Sequence, residues 1–387
     1  MEPVQLAALL VGIILVASII SVELGVTVAL IELSLGILAG NALDLPSQDW
    51  LDLLAAFASI VLTFLAGMEV DPSYMRRRLG ASVGIGTVSF IGPFVVASVV
   101  SYLVLDWSGR ASLIAGTALS TTSLAVVYAV LVERGLTESD TGKLLMSATF
   151  VTDLLTALAL SAIFIKPNPW FPVYLAVSVG LIIVLPRIAP WFFGRYGDRV
   201  IEPEIKLVFF CLLCLMVLAN ASNGHAVLPA FVLGLVMSRH YAEHRQEQMR
   251  LRVVAFAFLT PLFFIKGGLN VSLSAVASNF GLLLVLLAAK MVPKIALVYP
   301  LARRADPRHA TFGTLLMSTG LTFGTIASIY GLTAGIIDTT QFSLLVTVVA
   351  LSAIVPTAIA ERWFLPKSES DLGVDRRRAY RESEELV

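Results

Sequence analysis

A carboxylate placed in the middle of a long apolar stretch is the group in this chain best positioned to do chemistry. Asp153 lies ten residues from Lys143 and thirteen from Lys166. At about 1.5 Å per helical residue it sits roughly 15 Å from either end of its segment. A charge at that depth is costly unless it is paired, hydrated or protonated, so it marks a functional position. Neutral oxygens lie within reach in sequence: Thr152 beside it, and Ser120, Thr121, Thr122 and Ser123 in a neighbouring apolar segment. A second polar interruption, Ser318, Thr319 and Gly320, breaks another apolar run. One carboxylate with hydroxyl and carbonyl oxygens suits a hard monovalent cation, Na+ or K+, and the same carboxylate can hold a proton instead.

Other ionisable residues fall inside apolar segments. Lys290, between Asn279 and Arg303, reads as the counter-charge of Asp153, with Lys294 one turn closer to the cytoplasm and Pro293 between them. Lys266, four residues from Asn270, reads as a snorkelling side chain. Glu32 either lines a vestibule or pairs at an interface. Glu69 reads as a helix-end residue facing Arg76, Arg77 and Arg78, and Arg187 as an interfacial anchor. Cys211 and Cys214 sit on an apolar helix without a second pair, which favours packing over metal or redox chemistry.

The elements that must hold these residues are membrane helices. Of 387 residues, 57% are hydrophobic and 14% charged, an integral membrane composition. Lys and Arg number 27 and so do Asp and Glu, which gives no electrostatic case for nucleic acid. Two cysteines and four unclustered histidines exclude a disulfide framework and the common zinc spacings. There is no Walker motif, and Gly84-Ile85-Gly86 lacks the context of a dinucleotide site, so neither a nucleotide, a cofactor nor an enzymatic reaction is expected. Thirteen candidate spans run from about residue 5 to 363, among them 111–132, 143–165, 253–270, 275–300 and 309–330. The first of them lacks the basic n-region of a signal peptide and is read as a retained helix. Alternate loops hold 21 of the 27 cations, which places the N-terminus outside and the C-terminus, with a flexible tail, in the cytoplasm.

The halves also resemble each other. Leu35-Gly36-Ile37 returns as Leu233-Gly234-Leu235, Phe64-Leu65-Ala66-Gly67 as Phe264-Ile265-Lys266-Gly267, Pro93 as Pro293, and Ser120-Thr121 as Ser318-Thr319. All four offsets are 198 or 200, which carries six spans onto six with a connector between them. The halves then enter the bilayer from opposite sides, an inverted repeat whose site belongs near the midplane at interrupted helices.

Together the runs Leu35–Gly40, Phe64–Asp71, Thr117–Ser123, Phe150–Asp153 and Pro261–Gly267 resemble the monovalent cation:proton antiporter-2 family. The resemblance implies an all-α polytopic membrane protein of about thirteen helices, a homodimer in which two broken helices cross in a core domain. It implies that spans 5 and 12 are those helices, Asp153 the ion-binding and proton-binding aspartate, and Lys290 the core lysine. The expected division is 1–80 and 201–274 as dimerisation helices, 81–166 and 275–365 as core helices, 167–200 as connector and 366–387 as tail. Thr152 stands where electrogenic relatives have a second acid, Lys266 where relatives commonly have Ser, and no nucleotide-binding domain is present. The expectation is exchange of Na+ or K+ for protons across the cell membrane, one for one. The alternative is a sodium-coupled organic-anion symporter on a similar scaffold.

Overall fold

The computed structural model describes residues 2–366 apart from 25–26, 44, 46–47, 69–77, 134–135, 137–138, 165–167, 198, 223 and 225. Glu69, Arg76, Arg77 and the tail lie outside the described residues. The described chain is helical throughout: α1 (Pro3–Leu24), α2 (Val28–Leu43), α3 (Asp49–Met68), α4 (Leu79–Leu103), α5 (Gly109–Ser120), α6 (Leu124–Glu133), α7 (Asp140–Phe164), α8 (Phe171–Tyr196) and α9 (Pro203–Ala221). It continues with α10 (Val227–Glu243), α11 (Arg245–Val254), a π-helical turn (Ala255–Leu259), α12 (Thr260–Leu269), α13 (Leu273–Ser278), α14 (Phe280–Ala305), α15 (Ala310–Met317), α16 (Thr322–Thr333) and α17 (Thr339–Trp363).

Ten helical stretches are long and apolar enough to cross a bilayer; α2 and the apolar part of α10 are shorter. With the interrupted pair α5 and α6, these passages coincide in position with the thirteen candidate spans. Side chains cap several helix starts. Asp338 and Gln341 form a capping box at α17, and the Ser108 and Ser272 hydroxyls accept from Ala111 N and Ala275 N at α5 and α13.

Two groups of helices emerge from the packing. In the first, α2 lies on α12 and α3 on α10. Glycines let these backbones touch. A Cβ on Gly36 would reach Ile265 O, one on Gly268 would reach Leu33 O, one on Gly67 would reach Phe231 O, and one on Gly234 would reach Phe64 O. Such small-residue contacts replace the hydrophobic effect, which lipid does not supply between helices. In the second group, α4 and α14 pack side by side and carry α5, α7, α15 and α17 around them.

The expected cytoplasmic end of the second group is tied by polar contacts. Arg78 pairs with Asp140 at 3.0 Å. Asp306, at the end of α14, accepts from Thr141 Oγ1 at 2.5 Å and meets His309 Nδ1 at 3.1 Å. Partial burial raises the Asp306 carboxyl, but the Thr141 and His309 hydrogen bonds outweigh it and hold the group below its ordinary 3.8.

Two measurements check this packing. Gly234→Ala should force α3 and α10 apart and cost about 1–3 kcal/mol, read as a lower melting temperature in detergent. Asp306→Asn should also melt earlier at neutral pH. A depressed carboxyl stabilises the fold above its ordinary pKa and loses that effect as pH falls through the folded value, so the deficit of the variant should shrink below about pH 4.

Candidate ion-binding site

The second helix group contains two interruptions. Helix α5 stops at Ser120, Thr121 is extended (φ −64°, ψ 152°), and α6 restarts at Leu124. Helix α15 stops at Met317 and α16 restarts at Thr322, so Ser318, Thr319 and Gly320 lie in the gap. Each stop leaves carbonyls without helical partners and exposes the negative end of a half-helix dipole. In hydrocarbon those carbonyls need a donor.

Two lysines of α14, both fully buried, are those donors. Lys290 Nζ donates to Leu119 O at 3.1 Å and Thr121 O at 3.2 Å. Lys294 Nζ donates to Thr121 O at 2.7 Å, Thr122 Oγ1 at 2.9 Å and Met317 O at 2.9 Å. One lysine serves the end of α5; the other ties that end to the end of α15. Thr122 Oγ1 closes the junction by donating to Met317 O at 2.9 Å. Gly320 is glycine where a Cβ would collide with Lys290 Nζ, and a Cβ on Gly324 would lie 2.9 Å from Ala118 O.

Asp153 lies midway along α7, 1% exposed. Its Oδ1 has no hydrogen-bond partner, and it forms no salt bridge among the described residues. The cation whose charge acts on it is Lys294 rather than Lys290. This corrects the pairing expected from sequence, and depth explains it. Lys294 is nine residues from Arg303, close to the ten between Lys143 and Asp153, whereas Lys290 is thirteen away. Counting from the cytoplasmic ends of both helices would have chosen Lys294.

The hydroxyls divide. That of Thr122 and the carbonyl of Thr121, with Lys290, Lys294 and Gly320, converge on the junction of the broken helices, while the Thr121 hydroxyl donates back to Ala118 O at 3.0 Å. Those of Ser120, Ser318 and Thr319 turn back onto Thr117 O, Thr314 O and Leu316 O. Ser123 Oγ caps α6 by accepting from Val126 N, and Thr152 Oγ1 donates to Gly86 O and Ala148 O. The Met317 carbonyl and Ser89, 3.4 Å from Thr122 Oγ1, join the junction without any signal in sequence beyond their position.

One further expectation changes. Lys266 does not snorkel: it is 8% exposed, and its Nζ meets Asp52 Oδ1 of α3 at 2.6 Å. Glu32 is enclosed on α2, 1% exposed, with no partner for Oε2. It lines neither the Asp153 junction nor the cavity of about 850 Å3 that separates the two groups on the expected outer side. Asp153 is not among that cavity's lining residues. Phe150, one turn from Asp153, stacks on Phe231 of α10 at 5.2 Å, and Phe323 of α16 meets Phe231 edge-on at 6.1 Å, filling the seam between the groups.

Comparison with known proteins agrees with this architecture. The chain is 26% identical over 325 residues to "Probable Na(+)/H(+) antiporter 3" of Methanocaldococcus jannaschii, covering 80% of this chain and 82% of that protein. It is 24% identical over 337 residues to "Na(+)/H(+) antiporter NhaS4" of Synechocystis, with 81% and 82% covered. The solved structure of the sodium proton antiporter MjNhaP1 from Methanocaldococcus jannaschii shares the fold, with a TM-score of 0.66 at 14% identity over 93% of this chain and 97% of that one. The organic-anion symporter alternative finds no support among these relatives. The family profile "Sodium/hydrogen exchanger, transmembrane" matches residues 6–364, and the chain, a multi-pass membrane protein, belongs to that family of transporters.

Proposed function

We propose that this protein exchanges a monovalent cation, Na+ or K+, for protons, with Asp153 holding one or the other but never both. The observation that carries the reading is a fully enclosed carboxylate with an unpartnered oxygen, close enough to feel Lys294 and set beside the junction of two broken helices. A cation arriving there displaces the proton, and the competition couples the two fluxes. Oxygens of Thr121 and Thr122, and those of Thr152, Ser120 and Ser123 after small rearrangement, complete a neutral coordination shell.

In this reading the second helix group, residues 81–166 and 275–365, is the core that carries the site. Residues 1–80 and 201–274 form the scaffold of a homodimer, and 167–200 connect the halves. The six-helix halves are inverted repeats, with the N-terminus outside the cell membrane and the C-terminus in the cytoplasm. Lys290 is the fixed cation of the core, anchoring the end of α5, and Lys294 is the lysine that answers to the state of Asp153. With Thr152 in place of a second acid, one proton moves per cation.

Asp153→Asn should abolish exchange in proteoliposomes carrying a pH gradient, read with an internal fluorescent pH dye; residual cation-dependent proton flux would remove the assignment. Wild-type exchange should not follow an imposed membrane potential. A rate that rises with voltage would replace one-for-one exchange by a cycle in which Lys294 also gives up a proton.

A further inference from the structure

The cavity between the two groups contains charges that the exchange chemistry at Asp153 does not use. Its scaffold wall carries the Asp52–Lys266 ion pair, joining α3 to α12. The facing wall, from α5 and α16, carries Arg110 and Tyr330. Asp52 is half exposed, and Lys266 is nearly buried behind it. Among the described residues the cavity therefore presents one acid and two bases, and the acid is the only oxygen anion of that described lining.

A cation crossing this space meets an electrostatic choice. The Asp52 carboxylate attracts it, while Lys266 and Arg110 repel it, in a concave space with partly apolar walls where fields are focused. Because Lys266 Nζ lies at 2.6 Å, most of the attraction of Asp52 is already neutralised. We propose that Asp52 is the first docking point for a monovalent cation on this side of the protein, and that Lys266 sets how long the cation stays there. The pair would then tune affinity and release on one face without touching the ion at Asp153. The inference rests on the cation-exchange reading above.

The test uses the full-length protein reconstituted in one orientation, with Na+ supplied to one face at a time. Lys266→Met should lower the apparent KM for Na+ on the cavity side by roughly three- to tenfold and slow turnover in the direction that releases Na+ there. Asp52→Asn should raise the same KM by a similar factor, and the double variant should return close to wild type. KM on the opposite face should stay unchanged, a sidedness that a purely structural role would not produce. Raising ionic strength with an impermeant salt should compress these differences. If Lys266→Met fails to fold, Arg110→Gln leaves the ion pair in place and should lower KM on the cavity side alone. Equal changes on both faces, or no change in any variant, overturn the proposal. Wild-type exchange in the same vesicles separates that outcome from failure of the exchange reading itself.

Discussion

A main-chain carbonyl set in hydrocarbon has to meet a donor, and the site depends on how this chain satisfies that constraint. Two helices stop halfway, and their ends meet. Without Lys290 and Lys294 the carbonyls of Leu119, Thr121 and Met317 would lack the ammonium donors that answer them. With the lysines, a break that lipid alone would forbid becomes a fixed polar junction. The same arrangement concentrates positive charge beside Asp153, so the carboxylate sits where its own charge is answered at some distance yet leaves an oxygen unmet.

The two helix groups are held by different kinds of contact. Within the first, backbone meets backbone through Gly36, Gly67, Gly234 and Gly268, where a side chain of any kind would clash. Between the groups, the seam beside Asp153 is filled by the rings of Phe150, Phe231 and Phe323. Ring contacts of this kind are held by dispersion and by the offset or edge-on geometry that ring quadrupoles prefer.

Much of this was legible in the sequence, and the omissions share a cause. Position along a membrane normal can be counted in residues from charged ends, so the depth of Asp153 and the two interruptions followed from spacing alone. Direction around a helix axis cannot be counted in the same way when nearly every residue is apolar, because the periodicity that normally marks a face is absent. That is why the sequence does not show Lys266 facing Asp52, 2.6 Å away, or the hydroxyl of Thr152 turning toward Gly86. The coupling of Thr141, Asp306 and His309 was hidden for a simpler reason: it joins residues about 165 positions apart.

The π-helical turn at Ala255–Leu259 determines which way Lys266 faces. Such a turn holds one more residue than an α-helical one, and each residue rotates a helix by about 100°, so everything downstream is clocked round by that angle. Wound as plain α-helix, the same segment would present a different stripe of α12 to α2 and α3, and Gly268 would leave its contact with Leu33. Five residues of widened backbone therefore act as the indexing pin of the scaffold, aligning at once a close helical seam and the one lysine that reaches across to Asp52.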